Sequence, residues 1–252
     1  MPGAVKEKKI DAASYRAHLY DSYRSNLGQC PSIDGRASRA PYLRRLLAKH
    51  FPPNRAVKIL DLGCGNGTLI SFLREAGYLN VSGVDTSLEQ VAEAQRLNIA
   101  GIQHGDVLDA LQTTGSETLD IVIAFDVIEH LTKPELLTLA NEVCRVLKPQ
   151  GRWVIHAPNA ESPFGAYMRY VDWTHEQAFT KESLSQLLKA TGFSYVRCYE
   201  DQPVVHGLKS LSRWLVWKLV RNVIRIYRVA ETGTTGRDSV FSQNLLAIAV
   251  KE

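Results

Sequence analysis

The stretch Lys58-Ile-Leu-Asp61-Leu-Gly63-Cys64-Gly65-Asn-Gly67-Thr68 constrains this chain more than any other. An apolar, β-prone run (Val57, Ile59, Leu60, Leu62) ends in closely spaced glycines, and apolar residues at helical spacing (Leu69, Phe72, Leu73, Ala76) follow. The order is strand, tight turn, helix. Glycine suits such a turn because a residue without Cβ reaches positive φ cheaply and lets a ligand approach the backbone. The spacing is G-x-G-x-G rather than the G-x-G-x-x-G of dinucleotide sites, and no basic residue opens the helix to receive a pyrophosphate. Asp61 instead puts a carboxylate at the strand end, which favours a cationic or hydroxyl-bearing ligand and repels a polyphosphate.

Strands and helices then alternate. Asn80–Asp85 reads as a second strand, and Ser87 with Gln90 as a capping box opening the next helix. Residues 101–107 read as a third strand and its exit. Leu119–Asp126 is the most apolar strand, as expected at the centre of a parallel sheet buried on both faces. Thr132 and Glu135 form another capping box, and Pro149 and Gly151 stop that helix. Arg152–Ala157 is the fifth strand. Repeated βαβ units imply a parallel, doubly wound α/β sheet. A polar and aromatic connection over 158–179 leads to a helix at Lys181–Ala190, and Phe193–Tyr199 and Asn244–Val250 pair antiparallel to close a seven-stranded sheet. Before the first strand, helices are predicted over 11–27 and over 38–50. We therefore divide the chain into a helical cap, 1–54, and a main domain, 55–252.

Charge is unevenly placed. The chain of 252 residues carries a net +4, yet residues 202–230 hold six Lys/Arg and no Asp or Glu. Removing those six leaves −2, so the basicity is local. A helix over 207–229 within an insertion at 203–236 has an apolar face of Leu208, Leu211, Leu215, Leu219, Val223 and Ile226, with Arg213, Lys218, Arg221, Arg225 and Arg228 opposite and Trp214 and Trp217 among them. Contact with a membrane surface, a lid or homodimer contact, and RNA binding are all open to it. Four scattered cysteines give neither a zinc pattern nor a disulfide framework, and no metal is expected. With no apolar targeting run at the N-terminus, the expected location is cytoplasmic, with peripheral contact at the inner membrane face if the helix meets lipid.

Taken together, these motifs resemble class I S-adenosylmethionine (SAM)-dependent methyltransferases, over about residues 55–200. The resemblance implies a Rossmann-like sheet whose last strand is antiparallel, and SAM as cofactor with S-adenosylhomocysteine as product. It assigns Asp61, Gly63, Cys64 and Gly65 to the first cofactor loop. Asp85, with Thr86, falls where such enzymes bind the ribose hydroxyls, Asp106 and Val107 where they contact adenine, and Phe125 and Asp126 beside the methionine part. Arg39 is the candidate for the cofactor's carboxylate, with Arg36, Arg44 and Arg45 as competitors. The runs Asp126-Val-Ile-Glu-His-Leu131 and Trp173-Thr-His175 are most similar to the ubiquinone-pathway and glycan O-methyltransferase group.

Methyl transfer to a hydroxyl gains from a general base, and histidine is the natural one. His175 is the preferred base and His130 the second candidate; the direction of His156 is left open by strand alternation. Asn159, Tyr167, Tyr170 and Trp173 are the expected substrate contacts for a small-molecule or lipid-linked acceptor. Asp126-Val-Ile-Glu stands where amino-group DNA methyltransferases carry Asn-Pro-Pro-Tyr, so DNA is not an expected partner. An RNA methyltransferase and a non-catalytic SAM-binding protein are the alternatives.

Overall fold

The computed structural model describes Leu19, residues 33–234 and residues 238–252. Apart from Leu19, the helix expected at 11–27 lies outside the described residues. Helix α1 (Ile33–His50) precedes β1 (Ile59–Leu62), α2 (Thr68–Glu75), β2 (Val81–Asp85), α3 (Leu88–Arg96), β3 (Ile102–His104) and α4 (Val107–Thr113). Then come β4 (Leu119–Phe125), a 3₁₀ turn (Ile128–His130), α5 (Lys133–Val146), β5 (Leu147–Pro158), α6 (Gly165–Tyr170), α7 (Lys181–Ala190), β6 (Phe193–Glu200), α8 (Leu208–Thr232) and β7 (Asn244–Lys251). The seven strands lie in the order β3-β2-β1-β4-β5-β7-β6. β7 runs antiparallel to both its neighbours, and the pairs from β3 to β5 are parallel.

Strand residues alternate between two buried faces. Leu60, Leu62, Val122, Ala124, Trp153 and Ile155 pack with α4, α5 and α7. Ile59, Ile121, Ile123 and Val154 pack instead under α1 and α2, against Leu43, Leu46, Leu47 and Ile70. The same period of two puts Asp61, Asp85, Phe125 and His156 on the α1 face. Helix α1 therefore shares the sheet's core.

Three local expectations change. Ser87 caps α3 by accepting from Gln90 N, but its own N–H goes to Asp85 Oδ1, so Gln90 has no orphan donor to reach back to. Asp106 opens a helix not foreseen, α4, with Oδ1 accepting from Leu108 N at 2.7 Å and Asp109 N at 3.4 Å. The loose connection after β5 contains α6. The box at Thr132 forms as expected: its N and Oγ1 both donate to Glu135 Oε2, at 2.8 and 2.7 Å.

Candidate active site

The carboxyl ends of β1, β2, β4 and β5 meet at one rim. Gly63 has φ +63°, and a Cβ there would stand 2.4 Å from Val127 Cγ2, so the first turn accepts only glycine without displacing the segment after β4. Gly65, at φ +55°, lies where a Cβ would only touch the Gln90 amide, 3.8 Å away, and it donates its N–H to Asp85 Oδ2 at 2.7 Å. With Ser87 N on Oδ1 at 2.8 Å, both Asp85 oxygens are fixed by backbone donors, and each retains a second lone pair. Cys64 sits buried between these glycines, and its N–H donates to Val84 O. Thr86 contributes its carbonyl to His104 Nε2 at 3.1 Å.

Asp61 is 2 % exposed, and burial, reinforced by the Asp85 charge, pushes its carboxyl up to about 8. The Arg39 guanidinium draws it partly back and also acts on Asp126. Its three competitors are engaged elsewhere. Arg36 pairs with Glu75, Arg44 lies 6.0 Å from the Phe72 ring centre, and Arg45 donates to Gln202 O at 2.6 Å. The buried Asp61 and Asp85 carboxylates, with Arg39 acting on Asp61, form a set of acceptors that fits a ligand carrying a positive centre and paired hydroxyls, as SAM does.

Asp126 has a left-handed backbone, φ +56°, which turns its carboxylate onto His156. His156 Nδ1 lies 2.6 Å from Asp126 Oδ1 and Nε2 lies 3.3 Å from Asp201 Oδ2. Burial alone would push the His156 pKa down; the two carboxylates reverse this and lift it to about 10. Phe125 stacks on this imidazole at 5.1 Å and Tyr42 meets it edge-on at 6.3 Å. His156 is thus a buried imidazolium tie. Asp201 and Tyr42 were missed by the sequence reading. Asp201 follows the carboxyl end of β6, a position the strand-end rule marks, whereas nothing in the sequence singles out Tyr42.

The second group forms where the 158–179 segment folds back on the 3₁₀ turn. Glu176 N and Gln177 N donate to Glu129 O, at 2.7 and 3.0 Å, and bring the His175 and His130 rings within 4.8 Å. The Thr174 hydroxyl donates to Asp172 Oδ1, so it accepts from His130 Nδ1 at 2.8 Å. His175 Nδ1 donates to Met168 O at 2.9 Å, since a carbonyl can only accept. In both rings Nδ1 is thereby the donating nitrogen. Burial, with His175 adding, holds His130 down at about 4, and burial beside Asp126 raises the Glu129 carboxyl well above its usual range. Ligand atoms of Glu129, His130 and His175 all lie within 4.8 Å of one another and have the chemistry to hold a metal ion. Glu129 and His130 are adjacent in the sequence, whereas His175 arrives from 45 residues downstream.

The other expected residues scatter. Asn159 is buried, its amide donating to Val240 O and Ser242 O while its oxygen takes Glu161 N. It ties loops together and has no N–H left for a substrate. Tyr167, Tyr170 and Trp173 are 62, 76 and 80 % exposed on and after α6. Asp106 is exposed and caps α4; Val107 is buried beneath it.

A seven-stranded sheet with one antiparallel strand and a glycine loop after β1 defines the class I SAM-dependent methyltransferase fold. The chain belongs to the methyltransferase domain family, whose model matches residues 36–197, and SAM is the cofactor of that class. It is 28% identical over 180 residues to the mitochondrial ubiquinone biosynthesis O-methyltransferase of Homo sapiens, covering 62% of this chain and 48% of that one. To the Methylobacterium nodulans ubiquinone biosynthesis O-methyltransferase it is 29% identical over 124 residues, 45% of this chain and 48% of the other. The chain spans about half the length of these curated relatives. Among solved structures, a SAM-dependent methyltransferase from Archaeoglobus fulgidus superposes with a TM-score of 0.66 at 21% identity, covering 91% and 98% of the two chains. Magnesium protoporphyrin IX methyltransferase from Synechocystis, solved with bound S-adenosylhomocysteine, gives 0.59 at 17% identity, covering 95% and 100%.

Proposed function

We propose that this chain transfers the methyl group of SAM to an oxygen of a small-molecule, glycan or lipid-linked acceptor, with His175 as general base. The observation that carries the reading is the His175 ring, set beside His130 and Glu129 and fixed by its Nδ1 bond to Met168 O. The names of the ubiquinone O-methyltransferase relatives support oxygen as the acceptor atom.

Bound SAM supplies a methyl group already activated by its sulfonium. The chain's own residues then hold, orient and deprotonate. Asp61 receives the ammonium group and Arg39 the carboxylate of the methionine part. Asp85 and Thr86 hold the ribose, and Asp106 with the Val107 backbone borders the adenine. Phe125 and Asp126, locked by His156, form the floor beside the methyl group. His175 takes the acceptor's proton as the oxygen attacks, and Tyr167, Tyr170 and Trp173 flank the acceptor's entry.

The test is S-adenosylhomocysteine release across a panel of hydroxyl and amine acceptors, with wild type and His175→Ala. Turnover of hydroxyl acceptors that the substitution abolishes supports the reading; turnover confined to amines, or untouched by the substitution, defeats it. A second reading follows from the Glu129, His130 and His175 cluster: a divalent ion held there would lower the acceptor's pKa in place of a base. Loss of turnover on chelation, restored by a divalent metal, would favour it.

A further inference from the structure

Helix α8 is mounted with its apolar side out. The residues turned toward the domain follow a spacing of three and four: Ser210, Trp214, Trp217, Arg221, Ile224 and Arg228. Arg221 Nε meets Glu200 Oε2 at 2.6 Å, and Arg228 pairs with Glu161 and donates to Ser239 Oγ at 2.7 Å. The arginines fasten the helix to the sheet's rim. The face Leu208, Leu211, Leu215, Leu219, Val223 and Ile226 is left in solvent, with Leu215 at 55 %, Leu219 at 66 % and Ile226 at 68 % exposed. Ordinary surface helices bury that stripe.

Charge says what covers it. At 100° per residue, Lys209 and Arg213 border the stripe on one side and Lys218 on the other. No acidic residue occurs from Leu208 to Ala230. A second copy of the helix laid on this face would set cationic edges against cationic edges, whereas an anionic bilayer accepts the apolar stripe into its interface and pairs its headgroups with both edges. The Arg228–Glu161 pair ties the helix to the segment that carries the exposed Phe164, Tyr167 and Trp173, aromatic residues of the kind that settle at headgroup level. Among the described residues no helix is long and apolar enough to cross a membrane, and contact along a helix lying in the interface needs none.

We propose that α8 docks the protein on an anionic lipid surface, holding the active-site rim at the bilayer. This goes beyond methyl transfer and does not depend on it. The experiment is co-sedimentation of the full chain with vesicles of phosphatidylcholine alone and of phosphatidylcholine with about one third phosphatidylglycerol, read beside light scattering and calorimetric SAM binding. The wild type should pellet with anionic vesicles at least about tenfold more strongly than with neutral ones. Leu215→Glu with Leu219→Glu should abolish pelleting while SAM affinity is kept, and Lys209→Gln with Arg213→Gln and Lys218→Gln should lose the anionic preference. A wild type that stays in the supernatant overturns the proposal, as does a leucine variant that pellets like wild type. A wild-type dimer made monomeric by the leucine substitutions, without vesicle binding, assigns the face to a second copy and overturns it too.

Discussion

His156 Nδ1 lies 2.6 Å from Asp126 Oδ1, and the same ring reaches Asp201, so one imidazolium bridges the ends of β4 and β6 across the strands between. Its raised pKa makes this bridge pH-dependent. The stabilisation is complete below the ordinary histidine value near 6.5 and fades as pH rises toward about 10. Asp126, held below the usual carboxylate range by His156 despite burial, adds stability that is lost on strong acidification. His156→Gln should cost about 2–3 kcal/mol near neutral pH, less than a fully buried pair because Asp126 is half-exposed. It should also flatten the decline from about pH 6.5 to 10. Denaturant unfolding across that range measures both, and a variant with the wild-type slope would refute the charged state of the ring.

On the proposed reading, Asp61 sets cofactor affinity against stability. With its carboxyl raised to about 8, the stability contributed by the protonated form is full below the ordinary carboxylate range and lost as pH rises through about 8. A cationic ligand needs the ionised form, so SAM affinity should climb with pH up to about 8, by as much as about tenfold per unit. Asp61→Asn should stabilise the free protein above pH 8 by about 1–3 kcal/mol and weaken SAM at least about tenfold. Calorimetry at several pH values is the check; a flat affinity profile in the wild type would contradict the argument.

Asp85 anchors two backbone amides and, on the proposed reading, also holds the ribose. Asp85→Ala should therefore weaken SAM and S-adenosylhomocysteine alike by about 1.5–3 kcal/mol, and Asp85→Asn, which keeps one acceptor oxygen, by less. Equal losses for the two variants, measured by titration, would mean that only the charge matters.

For His175→Ala the expected pattern is a fall in kcat of about 10²–10⁴ with cofactor affinity within about twofold of wild type. Steady-state kinetics with S-adenosylhomocysteine release reads both, and a change confined to KM would reassign the residue to acceptor binding.

Gly63→Ala probes the turn itself. The new methyl meets Val127 in a left-handed backbone, so the fold should lose about 2–4 kcal/mol, and SAM binding should drop even where the protein remains folded. Thermal unfolding with and without SAM separates the two effects, and an unchanged melting temperature would show that Val127 yields.

Much of the scaffold is legible in the residues because each part has a local cause. The strand patterns, the Thr132–Glu135 cap and the helix at Lys181–Ala190 need only their own neighbours, and the carboxylates Asp61 and Asp85 are marked by ending strands. What escapes is whatever arises from distant segments meeting. His156 could not be oriented until the faces of β5 were known. Asp201 gained meaning only when β6 came to lie two strands from His156. Asn159 looked like a substrate contact because its position after β5 is right, while its burial under Val240 and Ser242 depends on the far end of the chain. The Glu129 and His130 pair lacked a partner until the α6 segment folded back.

The long connection between β6 and β7 carries a further consequence. Those strands are held by their own ladder from Phe193↔Lys251 to Glu200↔Leu245, and closing a loop costs entropy only with the logarithm of its length. Lengthening a tight turn to the present 201–243 connection adds about 2 kcal/mol. Helix α8 is therefore an exchangeable module: evolution or an engineer can rewrite the surface it turns outward without disturbing the cofactor pocket at the other strand ends.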